Sequence, residues 1–329
     1  MKRVNTLTPK KQHYVPQFIL KNFKSGRKKQ LYVFDKYRKF SYSSSVQDAA
    51  CESGYYNIKI DGKDYSIENK LASLEGISSK IISKIIQQET LAIINPDEFS
   101  FFCLFCAVQI LRTPTQRDFG QQFQDTILNW VNRQGGDVDQ IENLEVLDEP
   151  GLKKSHVQNI NSLALKFSKH FRDKVLILVK APAGHSFFIS DNPITMYNHK
   201  PRPGRGNLGL ALDGIEIQMP ISKNLSLTFM CPKMINEIIH KFKKYKQLRS
   251  FSAVAPIDIR EVDELVYAIE SGNARELKPE NIEFHNSLQV IQSSRFIYSS
   301  KDEFSLVMDM LTTNPECVYS PRIANNLDI

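Results

Sequence analysis

Five side chains are best suited to acid–base chemistry: His13, Glu68, Glu75, Arg112 and Asp191. His13 sits in QHYVPQF (12–18), directly behind Lys10 and Lys11. An imidazole titrates near neutrality, so it suits a general acid or base. Gln17 lies in the same motif and could bind substrate alongside Lys11. Gln109 and Arg112 are three apart in QILRTP, on one face with Phe102, Phe105 and Cys106 of a segment apolar nearly all round. A guanidinium in such surroundings is costly unless a carboxylate or a bound anion meets it. The alternative is that Arg112, at a helix end, reaches solvent or braces the turn at Pro114. Glu68 and Glu75 stand two helical turns apart with Leu71 and Ala72 between them. They are placed to meet Arg112, to hold a divalent cation, or to act as acid and base; the plainer reading is a solvated pair. Ser190, Asp191 and Asn192 follow the apolar run of FFISDNPI (187–194). Strand-end loops commonly carry functional side chains, but an Asx-type turn satisfying its own backbone reads equally well.

Elements must hold these residues in place. PQFILKNFK reads as a short helix opened by Pro16, with Phe18, Ile19 and Phe23 inward. QLYVFD (30–35) is a strand paired with the segment near FSYSS, and YYNIKIDGKDY gives a further strand and a turn at Asp61-Gly62. From Ser66 the period turns helical, with Ile67, Leu71, Leu74, Ile81 and Ile85 as the inward stripe. NPDEF opens a second helix with Asn95 as cap and Pro96 in first position. Pro114 ends or kinks that helix, and helices also cover 116–134, 152–171, 261–271, 279–292 and 301–313. Strands fall at KVLILVKAP, SFFIS, IEIQMPIS, LSLTFMC and RFIYS. The class is α+β, a helix-rich domain with a small, mostly antiparallel β-sheet. A single domain over 1–329 is expected, with a basic segment at 1–39 and a mobile acidic loop at 135–150.

Two tempting motifs fail on context. Cys103 and Cys106 form CxxC inside FFCLFC, with no second pair, so they read as core cysteines. Gly204, Gly206 and Gly209 spell GxGxxG without the strand and helix that a dinucleotide loop needs. Five cysteines in 329 residues argue against a disulfide framework. No apolar run approaches the roughly 20 residues of a membrane span, and no signal-peptide pattern opens the chain, so a cytoplasmic protein is expected.

Charge is local. Of the net +7, residues 1–39 carry +11 and the remainder −4. Arg27, Lys28 and Lys29 continue the basic bracket around the opening motif, and HKFKKYKQLR (240–249) adds five more positive charges. Such patches attract phosphate backbones, or simply form a solvated surface.

Taken together, QHYVPQFILKNF, IExxLASLE, QILRTP, FFISDNPI, MPIS and NSLQ…RFIYSS resemble the domain of unknown function 4238 family, found mainly in bacteria. The motifs run in the family's order from residue 12 to about residue 299. The resemblance implies that His13, Gln17, Glu68, Glu75, Gln109, Arg112 and Asp191 share one site, and it supplies no reaction.

The leading expectation is a nuclease or other phosphodiester-cleaving hydrolase, toxin-like and active in bacterial defence. His13 would transfer the proton and Arg112 would neutralise phosphate. Glu68, Glu75 and Asp191 would orient His13 or bind Mg²⁺ or Mn²⁺. No dedicated metal motif is present. One alternative is a non-catalytic module that binds a ligand or nucleic acid, with Gln17, Gln109, Asn192 and Arg112 forming a polar network. Another is a transferase or glycosidase acting on NAD or a related nucleotide.

Overall fold

Local chemistry sets the elements that carry the site. The computed structural model describes residues 10–25, 30–137, 141, 145–202, 206–250 and 257–320. The basic residues Arg27, Lys28 and Lys29, Gly204, and residues 138–140 and 142–144 of the acidic stretch lie outside them. Strand β1 (Lys11–His13) pairs antiparallel with β4 (Cys51–Ser53), placing His13 opposite Cys51. Strands β5 (Asn57–Ile60) and β6 (Lys63–Ser66) form a hairpin. Its turn residues Asp61 and Gly62 both take positive φ, 50° and 74°. That is the type I′ geometry that an Asp-Gly pair tolerates and that matches strand twist.

Helix α2 (Glu68–Gln88) follows at once and buries Leu71, Ile81 and Ile85; Leu74 stays partly buried. Helix α3 (Pro96–Leu111) begins at a complete capping box. The Asn95 side chain accepts from Glu98 N, and the Glu98 side chain accepts from Asn95 N. Thr113 caps α4 (Pro114–Arg133), and Asp148 caps α5 (Glu149–Arg172). The expected helix near the N-terminus shrinks to α1 (Gln17–Leu20) and one 3₁₀ turn, Lys21–Phe23. Ile19 and Phe23 are buried there, while Phe18 packs on Phe105 at 5.7 Å.

Among the described residues the small, mostly antiparallel β-structure expected is divided into four sheets. The largest has the order β12-β7-β11-β10-β9, built from β7 (Val175–Lys180), β9 (Thr195–Asn198), β10 (Ile215–Pro220), β11 (Leu225–Met230) and β12 (Arg275–Glu276). Only the β12–β7 pair is parallel. Strand alternation divides this sheet into two unlike faces. Ile217, Met219, Leu227 and Phe229 face the core, where Phe229 packs on Phe102 at 6.4 Å and on Phe171 at 5.0 Å. Thr195, Glu216, Gln218, Ser226 and Thr228 alternate with them and are nonetheless buried.

The second sheet, β3-β2-β13-β8, gathers distant pieces of chain. They are β2 (Leu31–Asp35), β3 (Phe40–Ser44), β8 (Ile189–Ser190) and β13 (Phe296–Ser299). The β2–β3 pairing agrees with the sequence expectation.

The last third adds α6 (Pro232–Ser250), α7 (Arg260–Ser271), α8 (Pro279–Gln292) and α9 (Ser305–Thr313). The basic run at 240–249 therefore lies on a helix, α6, which the sequence reading did not assign. The fold is α+β, with helices packed around several small, mostly antiparallel sheets. Gly206 and Gly209 fall between antiparallel strands β9 and β10, which rules out the strand–loop–helix context of a dinucleotide loop. Cys103 and Cys106 are fully buried on α3, and burial pushes the Cys103 thiol up to about 12. Among the described residues no helix is long and apolar enough to cross a membrane.

Candidate functional site

Arg112 organises the polar cluster. It is the cap residue that ends α3, and its side chain is only 1% exposed. Its Nη1 donates to Glu75 Oε1 at 2.6 Å. Nε and Nη2 both donate to Gln109 Oε1, at 2.9 and 2.7 Å. Gln109 in turn donates from Nε2 to the Tyr14 carbonyl at 2.9 Å, which ties α3 to the strand carrying His13. A buried guanidinium is tolerated because a carboxylate and a second acceptor meet it.

Tyr56 completes the wall between the strand and α2. It is fully buried, and its hydroxyl donates to the His13 carbonyl at 3.1 Å. Its backbone N donates to Gln12 Oε1 at 2.6 Å, and Gln12 Nε2 donates to Asn57 Oδ1 at 2.8 Å. The Tyr56 hydroxyl also sits beside Arg112, Glu68 and Glu75, and burial moves its pKa up. Alternation on β1 thus sends Gln12 into the structure and leaves the His13 ring on the other side, half-buried.

His13, Glu68 and Glu75 share this neighbourhood. Burial lowers the His13 pKa, and Arg112 adds to that; the backbone of Val46 and Gln47 and the charge of Glu75 pull the other way. The ring is therefore neutral at physiological pH. Its Nε2 is buried without a hydrogen-bond partner. Glu68 moves in the opposite direction: burial and the neighbouring Glu75 raise its pKa, against Arg112. Its Oε2 is likewise buried without a partner. Glu75 is 27% exposed, so the cluster reaches the surface along α2.

The sequence-predicted set divides here. His13, Glu68, Glu75, Gln109 and Arg112 come together. Gln17 is half-buried at the start of α1 and makes no hydrogen bond to them among the described residues. Lys11 pairs with Asp48 on the exposed side of β1. Asp191, Ser190 and Asn192 belong to a different construction, which corrects the expectation of one shared site. Asp191 Oδ1 accepts from Ser294 N at 2.8 Å, and Oδ2 accepts from Arg295 N and Phe296 N at 2.7 and 2.8 Å. Ser190 donates to Gln289 Oε1 at 2.7 Å, and Asn192 donates from Nδ2 to the Gln292 carbonyl at 2.9 Å. These residues lock β8 and its exit loop to α8 and β13. The buried Lys36 stands nearby, donating to the carbonyls of Val290, Ser293 and Cys317 at 3.0, 2.9 and 2.7 Å. Burial lowers its pKa to about 8 despite the charge of Asp191.

The role expected for Arg112 also changes. Its donors serve Glu75 and Gln109, so it positions a carboxylate and braces α3 against β1. Glu68, Glu75 and Asp191 do not form the expected metal set: among the described residues no group of three or more His, Cys, Asp or Glu side chains is placed to hold an ion. Gln12 and Tyr56 were missed. The signal available was the alternation of QHY, which predicts that Gln12 and His13 face opposite ways.

No curated protein and no solved structure matches this chain. A family model described as Protein of unknown function (DUF4238) matches residues 11–303, from the first strand through the last strand of the β13 sheet. The matched stretch contains every member of the Arg112 cluster and both sheets around it, and the chain belongs to the DUF4238 family.

Proposed function

We propose that the Arg112 cluster is an acid–base active site of a hydrolase acting on a phosphodiester. One observation supports this reading: two titratable groups that both sense Glu75 and Arg112 are displaced in opposite directions, His13 down and Glu68 up. Environments that push paired groups apart assign the base and the acid. Neutral His13 takes a proton from the attacking water through a ring nitrogen. Protonated Glu68 gives one to the departing oxygen. Glu75, fixed by Arg112, holds negative charge between them and stabilises the imidazolium that forms. The phosphodiester class rests on the basic N-terminal region, where Lys10, Lys11, Lys21 and Lys24 flank the His13 strand and steer a polyanion toward it.

The test is incubation of the purified chain with total RNA, tRNA and plasmid DNA, with and without Mg²⁺ or Mn²⁺. Cleavage that His13→Ala abolishes supports the reading; no cleavage of any of these substrates, or cleavage that His13→Ala leaves intact, sinks it. The engagement of all three Arg112 nitrogens by Glu75 and Gln109 favours a second reading, a binding module in which the cluster is structural. The two part on thermal melts. An active site loses activity in Glu68→Gln with the melting temperature kept or raised, whereas a structural network loses stability.

A further inference from the structure

Four large aromatic side chains stand bare around the turn between β2 and β3. Tyr37, Phe40, Tyr42 and Tyr319 are 49%, 44%, 38% and 50% exposed. Their rings are grouped, with centroids 6.3 Å apart for Tyr37 and Tyr319 and 5.6 Å apart for Phe40 and Tyr42. Arg295 links the two pairs, because it senses both Tyr37 and Tyr42. Single exposed apolar side chains are ordinary on a protein surface, whereas a contiguous group marks an interaction site.

The sheet holds these rings firmly. Phe40 and Tyr42 are two apart on the edge strand β3 and so share one face. Tyr42 stands opposite Val33, and Val33 opposite Tyr298, both of them buried. Phe40 stands opposite Asp35, and Asp35 opposite Phe296. One face is thus core at its centre and open at its edge. Arg295 is fixed as well. Its Nε and Nη2 donate to the two oxygens of Asp35 at 3.0 and 2.6 Å. Its guanidinium lies 5.1 Å from the Tyr37 ring centre and 4.8 Å from that of Phe296.

Charge decides what kind of flat partner fits. Asp35 is 2% exposed and also accepts from Tyr37 N and Arg38 N, at 3.0 and 3.3 Å, so its negative charge is used inside the turn. Outside stand Arg38, with a side chain 68% exposed, and Lys39, which is exposed and has no ion pair among the described residues. Lys39 holds a left-handed backbone, φ 54°, that glycine would adopt without steric cost. Asp118 of α4 marks the opposite margin: it accepts from Ser294 Oγ at 3.1 Å and is sensed by Tyr37. A polyanion would therefore run along the hairpin and away from α4. Rings flanked by cations suit a chain that alternates π faces with phosphates. In a duplex the base faces are covered by their neighbours, so only a single strand offers them.

We infer that the β2–β3 hairpin is a binding surface for single-stranded nucleic acid. Bases stack on Tyr37, Phe40 and Tyr42, and phosphates meet Arg38 and Lys39. Stacking of this kind tolerates any sequence, since every base has a π face. The surface narrows the phosphodiester reading to single-stranded substrates and rests on that reading for this alone, because a strand is held here whether or not it is cut.

The experiment is fluorescence anisotropy of the full chain with fluorescein-labelled oligo-dT and oligo-U of about twelve nucleotides. It is run in EDTA, the oligonucleotide is recovered intact on a gel, and an unlabelled duplex of the same length competes. The expected result is saturable binding of both single strands, with about tenfold weaker competition by the duplex. Phe40→Ala and Tyr42→Ala should each weaken binding about fivefold or more, while Tyr42→Phe keeps the stack and the affinity. Lys39→Gln should lower the slope of log K against log salt by roughly 0.7. These side chains are exposed, so the variants should keep the wild-type melt. The proposal is overturned by no saturable binding, by equal competition from the duplex, or by unchanged binding in both alanine variants, which would place the strand on other lysines. A concentration-dependent dimer that Tyr42→Ala abolishes would overturn it too, as a second copy would then own this face. Binding without cleavage in the nuclease assay leaves this surface standing and removes the hydrolase; cleavage without binding here does the reverse.

Discussion

At the scale of single residues, the cluster around Arg112 and the joint around Asp191 make demands that differ in kind. The chemical demand concerns pH. On the proposed hydrolase reading His13 acts as a base when unprotonated, so the rate would rise as pH passes its pKa, which lies below the ordinary 6.5. An acid acts when protonated, so the rate falls as pH passes the Glu68 pKa, which lies above its ordinary 4.5. The expected profile of kcat/KM is a bell in mildly acidic solution. A rate that climbs steadily through pH 9 would rule out this assignment. The structural demand concerns Asp191. Asp191→Ala strips three backbone N–H groups of their acceptor and leaves Lys36 without its nearby counter-charge, at a cost of about 3–5 kcal/mol. Denaturant melts measure it, and a loss below about 1 kcal/mol would contradict the structure. Glu75, Gln109 and Arg112 were legible because helical spacing and an apolar background single them out; His13 was joined to them only through the family resemblance. Asp191 was not, because its partners are main-chain groups about a hundred residues away, which leave no mark on the local sequence.

At the scale of elements, helix starts were easier to read than helix faces. Asn95-Pro96 announced α3, and the structure supplies both bonds of its capping box. Asn95→Ala should therefore lower stability by about 1 kcal/mol, visible as a drop in melting temperature, while Asn95→Asp should leave it nearly unchanged. Equal melts for wild type and Asn95→Ala would show the cap to be idle. Helix α6 escaped because only Ile235 and Phe242 are buried along its 19 residues, too thin an apolar stripe to stand out among lysines. The motifs FFISDNPI and NSLQ…RFIYSS, read separately, turn out to be two halves of one joint. Asn286 accepts from Phe188 N at 2.7 Å, and Gln289 donates to the Pro193 carbonyl at 3.0 Å. Such pairing is a property of the fold and not of either segment.

For the whole molecule, the buried histidines set the response to acid. His156 and His285 are both lowered to about 4 by burial, against an ordinary 6.5. Below pH 6.5 the unfolded chain takes up protons that the folded chain refuses, so stability falls as pH drops from 6.5 toward 4. Each histidine contributes about 3 kcal/mol to that fall. Melting temperature followed from pH 7.5 to 4 should decline mainly in this window, and less steeply in His285→Asn. A curve that stays flat until pH 4 would mean that these rings are solvated. Ionised Glu216 on the polar face of the β9–β11 strands moderates the effect at His285, because its charge favours the protonated ring and opposes the lowering that burial causes.

The order of strands in the β3-β2-β13-β8 sheet has a consequence for synthesis. Strand β2 follows His13 closely in the chain, yet its inner neighbour β13 is made only near the end. As the polypeptide leaves the ribosome, the His13 segment must wait with one edge of β2 unpaired through most of translation. The part of the chain made first is thus fastened last, and this sheet stays open at β2 until residues 296–299 have emerged.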